Sequence, residues 1–151
     1  MNIDFANLKI AYKAHKDEFD KTIENVTKNA SYIMGPEIAL LEKNLSEYSN
    51  VKHSISCSSG TDALLLAMMS IDIKPGDEVI TSPFTFGATA ETIALLGAKP
   101  IFADIDEKTY NLDYKQIENK ITTKTRAIIA VSLFGQSADM DEINAIAEKH
   151  Q

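Results

Sequence analysis

An α/β domain, with a mostly parallel sheet and helices on both of its faces, is the architecture this sequence predicts. Three observations carry that reading. From residue 52 onward, short apolar or β-branched runs alternate with stretches of helical periodicity. Turn-forming clusters such as Lys74-Pro75-Gly76-Asp77 separate them. The run Ala127-Ile128-Ile129-Ala130-Val131 is continuously apolar, as expected of a strand covered on both faces.

Taken in order, residues 1–8 read as an irregular or extended arm. From Ala11 to Lys28, Tyr12, Phe19, Ile23 and Val26 recur at helical spacing among charges, which predicts a surface helix with one buried stripe. Gly35 permits a turn, and Pro36 suits the first position of a second helix, where its missing N–H costs little. That helix runs to about Tyr48, with Ile38, Leu41, Leu45 and Tyr48 on one face and Asn50 closing it. Residues 53–57 read as a strand, and residues 61–71 as a helix so apolar, through Leu64, Leu65, Leu66, Met68 and Met69, that burial is expected. Strands are expected at 78–81, 99–104 and 126–133, and helices at 85–96, capped by Gly97, at 111–120 and at 139–149. Leu112 and Ile117 face inward in the shorter one. Ligands of such folds sit at the carboxyl ends of the strands. The informative residues are therefore 58–61, 82–86, 104–106 and 132–136.

The 151 residues, 44% of them apolar, suffice for one domain with a real core. A net charge of -7 disfavours nucleic acid and anionic membranes as partners. The single cysteine, Cys57, rules out an internal disulfide; a reducing compartment and a small buried side chain at a strand end are the expectations. The N-terminal residues do not read as a secretory signal, and no apolar run approaches the ~20 residues of a membrane helix. A soluble, cytoplasmic protein is expected. Asp104 and Asp106 suggest a hard-metal site, but no further acidic group completes one, and residues 109–113 read better as a capped turn into a helix. No metal site is predicted.

The stretch Ser56-Cys57-Ser58-Ser59-Gly60-Thr61-Asp62 takes the chain from an extended run into a helix. The first amides of a helix lack internal partners, and its dipole places about half a positive charge there, so a phosphate is a natural occupant. Gly60 lets the backbone approach it, and the hydroxyls of Ser58, Ser59 and Thr61 are available to it. The same residue types are also ordinary helix caps that need no ligand.

The pieces just after the strands, in order, are Ser58-Ser59-Gly60-Thr61-Asp62-Ala63-Leu64, Phe84-Thr85-Phe86 before Ala88-Thr89, Asp104-Ile105-Asp106 before Thr109-Tyr110-Asn111-Leu112-Asp113, and Leu133-Phe134-Gly135-Gln136 before Ala138-Asp139-Met140. With Tyr32-Ile33-Met34-Gly35-Pro36-Glu37 and Pro75-Gly76-Asp77-Glu78-Val79-Ile80-Thr81, they resemble the pyridoxal-phosphate-dependent sugar aminotransferases of the DegT/DnrJ type over essentially the whole chain. The resemblance implies a fold-type I large domain, incomplete here, and transfer of an amino group from glutamate to a keto group of a nucleotide-linked sugar. A UDP-linked 3-keto-hexuronic acid, destined for cell-surface glycans, is the closest flavour. It further implies that Gly60, Thr61 and Ser59 hold the cofactor phosphate and that Phe86 stacks on the pyridine ring. Gly87 departs from the larger apolar residue usual there, which loosens the support of that ring. Tyr32, Gly35, Ser132 and Gln136 are implied on the substrate side, and a homodimer as the assembly.

In the resembling enzymes, the carboxylate that holds the pyridine nitrogen and the Schiff-base lysine follow later strands. Both would fall after Gln151, and none of Lys52, Lys99 or Lys124 takes the lysine's position. The chain is expected to be the N-terminal arm, helices and first part of the large domain. It is expected to be inactive alone, with no catalytic residue of its own and with residues 53–57 lacking their usual sheet neighbours. Two alternatives remain open here: a sugar dehydratase of the same family, which uses a histidine where the lysine would be, and an inactive or nucleotide-binding α/β module.

Overall fold

A computed structural model describes residues 6–150. Chain contacts divide it into two compact units, Met1–Ser56 and Cys57–Gln151. The arm expected over residues 1–8 lies mostly outside the described residues, since Leu8 already begins a helix.

The first unit is helical, with α1 (Leu8–Ala14), α2 (Lys16–Asn29) and α3 (Pro36–Ser49). The single helix expected from Ala11 is broken at His15, whose backbone leaves the helical region at φ -123 and ψ 25. The expected buried stripe is not buried: Tyr12, Phe19 and Ile23 are exposed and Val26 is half-buried. Helix α3 begins at Pro36 and ends at Asn50 in the left-handed region, as the sequence predicts. Its apolar face is also open, with Leu41, Leu45 and Tyr48 exposed.

Residues 53–57 do not form a strand. A strand requires a hydrogen-bonded neighbour, and here the Ser56 N–H and hydroxyl both donate to the Glu42 carboxylate, at 2.8 and 2.7 Å. Those two bonds, the backbone one first, hold the Glu42 carboxyl below its ordinary value. Cys57, expected to be buried at the end of that strand, is exposed.

The second unit carries the sheet. Its elements are α4 (Gly60–Ser70), β1 (Glu78–Thr81), α5 (Ala88–Leu95), β2 (Lys99–Phe102), α6 (Tyr114–Ile117) running into a 3-10 turn, β3 (Thr125–Ile129) and α7 (Met140–Lys149). The strands are parallel in the order β2-β1-β3, so the sheet has three strands rather than the four expected. Successive strand residues point to opposite faces. Val79 therefore packs with Met68, Ile73, Ile93 and Ala98, drawn partly from α4 and α5. Ile80 packs on the other side with Leu112, Ile117 and Ile143, drawn partly from α6 and α7. Burying each such side chain stabilises the fold by about 1.5–3 kcal/mol.

Two expectations about burial are corrected by this arrangement. The continuous apolar run lies on β3, a sheet edge whose residues 127–130 are only half-buried; the fully covered strand is the central β1. Helix α4 buries Met68 alone, and Leu66 and Met69 are exposed, because the helix packs on α5 and only Met68 is buried in the cluster with Val79 and Ile93. Helix α5 also starts later than expected, at Ala88, which leaves residues 82–87 as a loop at the end of β1. The inward Leu112 and Ile117 are buried as predicted. Gly97 ends α5 at φ +73, and a Cβ there would meet the Pro75 ring at 3.0 Å, so both backbone and space require glycine. No helix among the described residues is long and apolar enough to cross a membrane.

Candidate functional site

At the carboxyl ends of β1 and β3, the second unit encloses a cavity of about 500 Å³. Its walls are the first turn of α4 (Gly60, Thr61, Leu64), the approach to α5 (Thr85, Phe86, Thr89) and the chain from Ile129 to Leu133. Gly60, Thr61 and Phe86, distant in sequence, are thus brought to one site. The lining is largely apolar, and its polar groups are backbone amides and threonine hydroxyls.

Of the four amides at the start of α4 that lack an intrahelical partner, those of residues 59–62, the protein satisfies one, that of Asp62. Ser59 caps the helix, its hydroxyl accepting from the Asp62 N–H at 3.1 Å, while its carbonyl accepts from the Ala63 N–H at 3.0 Å. The amides of Ser59, Gly60 and Thr61, and the Thr61 hydroxyl, have no acceptor among the described residues. A Cβ on Gly60 would meet nothing within 4 Å, and its backbone is not in the left-handed region, so the fold itself does not demand glycine there. Open space and three unused amides at a helix start, those of Ser59, Gly60 and Thr61, fit a phosphate.

The serine hydroxyls have partners within the protein. The hydroxyls of Ser58 and Ser59 both donate to the Asp62 carboxylate, and these bonds, Ser58's first, hold that carboxyl below its ordinary value. Ser59 therefore caps the helix through its hydroxyl, which exchanges bonds with the Asp62 amide and carboxylate. The amides of Ser59, Gly60 and Thr61 and the Thr61 hydroxyl are left available to an anion.

Phe86 lies on the loop before α5 and is 74% exposed, an unusual state for a large apolar ring. Its carbonyl accepts from the Thr89 N–H at 3.1 Å, and the Thr85 and Thr89 hydroxyls pair at 2.9 Å beside it. Thr85 falls within the stretch 82–86 singled out by the sequence, without a role of its own, and Thr89 lies outside it. Their four-residue spacing across a helix start was the available signal.

Ser132 sits between two of the lining residues, Val131 and Leu133. The Ser132 carbonyl closes a turn by accepting from the Gly135 N–H, and Gln136 lines a separate cavity of about 160 Å³ with Asn111 and Asp113. Tyr32 and Gly35 belong to the first unit. The Tyr32 ring is exposed, and a Cβ on Gly35 would come within 2.7 Å of the Ser31 carbonyl, so packing alone accounts for that glycine. Asp104 and Asp106 serve the backbone. Asp106 accepts from the Thr109 and Lys108 amides, which hold its carboxyl low, and Asp113 caps α6 as the capped-turn reading predicts. Three exposed rings that the sequence reading gave no role, Phe84, Tyr110 and Phe134, each follow a different strand and cluster with centroids 5.9 to 6.2 Å apart.

The profile of the DegT/DnrJ/EryC1/StrS aminotransferase family matches residues 13–151. The chain belongs to this family. Among relatives of the DegT/DnrJ/EryC1/StrS type, the UDP-2-acetamido-2-deoxy-3-oxo-D-glucuronate aminotransferase of Pseudomonas aeruginosa is 52% identical over 98% of this chain and 41% of its own length. Two solved structures illustrate the fold. S. venezuelae DesV superposes with a TM-score of 0.95 at 36% identity, covering 98% of this chain and 40% of that one. Bacillus subtilis NtdA with bound cofactor PMP superposes with a TM-score of 0.82 at 34% identity, covering 89% and 32%. The chain spans about 40% of the length of the curated family relatives it matches.

Proposed function

We propose that this chain supplies the cofactor-facing, N-terminal part of the large domain of a pyridoxal-phosphate-dependent aminotransferase. Its substrate would be the keto group of a nucleotide-linked sugar, such as a UDP-linked 3-keto-hexuronic acid, with glutamate as donor and a cell-surface glycan as the destination. The observation that carries the reading is the convergence of Gly60, Thr61 and Phe86 on one cavity at the sheet's carboxyl edge. The named relative at 52% identity supports the substrate class. A cytoplasmic homodimer is the form we propose, on the resemblance alone.

The residues present fit the cofactor. The amides of Gly60 and Thr61 and the Thr61 hydroxyl would hold its phosphate, with the α4 dipole adding about 0.3–1 kcal/mol. Ser59 and Asp62 contribute by keeping the helix start formed. Phe86 would lie against the ring and fix its plane, and the apolar walls from Leu64 and from the chain after β3 keep water from it. When bound, the cofactor supplies an electron sink for amino-group transfer.

The described residues lining the cavity include neither lysine nor carboxylate. We therefore assign no proton-transfer role to Lys52, Lys99, Lys124 or any other lysine of this chain, and we propose that the 151-residue polypeptide alone binds cofactor without turnover. The substrate-side assignment of Tyr32, Gly35, Ser132 and Gln136 rests on the resemblance.

Equilibrium dialysis against pyridoxamine 5'-phosphate and pyridoxamine tests the reading, since neither ligand needs a lysine. The phosphorylated ligand is expected to bind at least about tenfold more tightly. Gly60→Val, whose Cβ would meet nothing within 4 Å, is expected to remove the difference. Equal binding of the two ligands by the unaltered chain would refute the reading.

A further inference from the structure

We infer that Thr89 is the positioning residue for Phe86, holding the exposed ring at the cavity through the carbonyl of Phe86 and the hydroxyl of the preceding Thr85 rather than through packing. The inference rests on the cofactor reading above for what the ring is positioned to meet.

The ring has little else to hold it. Phe86 is 74% exposed, and its neighbour Gly87 carries no side chain to lean on it. An exposed ring has its staggered rotamers open to it, so its reach into the cavity depends on where the loop backbone places it. Thr89, by contrast, is 5% exposed and belongs to the first turn of α5, whose Ile93 is part of the core. From that anchored position it grips the loop twice. Its N–H donates to the Phe86 carbonyl at 3.1 Å, and its hydroxyl pairs with that of Thr85, the residue before Phe86, at 2.9 Å. Removing the hydroxyl frees Thr85 and leaves one grip of two. Thr92, one turn further along α5, is buried too, but its hydroxyl donates within the helix, to the Ala88 carbonyl at 2.8 Å and more weakly to the Thr89 carbonyl at 3.3 Å, and makes no hydrogen bond to the loop or to the Thr89 hydroxyl. It is the built-in control.

The chain contains no tryptophan, so Phe86→Trp introduces a single reporter ring at the site. In that background, Thr89→Val is expected to lower the fluorescence anisotropy of the reporter, Thr89→Ser to preserve it and Thr92→Val to leave it unchanged. With Phe86 intact, Thr89→Val is expected to weaken pyridoxamine 5'-phosphate about three- to tenfold, the size of one lost hydrogen bond. Should Thr89→Val fail to fold, Thr85→Val removes the same bond from its half-buried side and must give the same two changes.

An unchanged anisotropy in Thr89→Val, or an equal fall in Thr92→Val, overturns the inference. So does a fall in anisotropy with undiminished affinity. If the unaltered chain binds no cofactor, the functional reading fails, while the reporter still judges whether Thr89 holds the ring.

Discussion

In the first unit, α2 spaces Phe19, Ile23 and Val26 at helical intervals and buries none of them, whereas in the second unit Met68, Ile93, Ile117 and Ile143, from four helices, are all buried about β1. The sequence patterns are of the same kind, and α2 has the stronger segregation of charge from apolar residues. What differs is the partner. A helical stripe shows which residues are able to leave water; a sheet with two apolar faces supplies the surface that takes them. The second unit has its own core and encloses the site, and the first presents open helical faces.

Mutations can break or sharpen that contrast. The largest effect is expected from Ile80→Ala, which leaves a cavity under the central strand and should cost about 2–5 kcal/mol in urea denaturation. Leu41→Ala on α3 should stay within about 0.5 kcal/mol, and a comparable loss there would show that the first unit has a core of its own. Gly97→Ala comes next, at about 1–3 kcal/mol, because it forces a left-handed backbone and meets Pro75. Ser59→Ala should cost about 0.5–2 kcal/mol and appear as faster amide exchange in α4. Helices α2 and α3 have no side-chain cap bond to lose.

The smallest expected effect is acid sensitivity. Glu42 in the first unit and Asp62 in the second both lie below their ordinary values of 4.5 and 3.8. A carboxyl lowered on folding stabilises above its unfolded value, and that contribution is lost as pH falls through the folded one. Glu42→Gln should therefore flatten the fall in stability below about pH 4.5, and Asp62→Asn the fall below about pH 3.8, in melting curves taken at stepped pH. A fall unchanged by either substitution would show that these exposed carboxyls carry none of it.

The strand 78–81, the strand expected at 99–104 and formed over 99–102, the caps at Asn50 and Gly97 and the inward Leu112 and Ile117 were legible because each follows from local chemistry: a turn, an αL residue, a period. Residues 53–57 were misread because their composition suits a strand, but strand formation depends on a neighbour that composition does not reveal. Ser56 bonds to Glu42 instead. The same limit applies to α4, whose apolar residues say nothing about how many sides will be covered. At the site, the free amides of Gly60 and Thr61 follow from a helix start after a small-residue turn. The place of Phe86 was carried by resemblance, since an aromatic after a strand is ordinarily core. The pairing of Thr85 with Thr89 went unread because it depends on where α5 begins, three residues later than periodicity suggested.

Amide chemical shifts in a 15N-labelled chain, titrated in parallel with pyridoxamine 5'-phosphate and pyridoxamine, address the anion site most directly. The account predicts that the phosphorylated ligand moves the Gly60 and Thr61 resonances first and furthest, and that pyridoxamine leaves them in place. Shifts of equal size with both ligands, or none at these two amides, would contradict it.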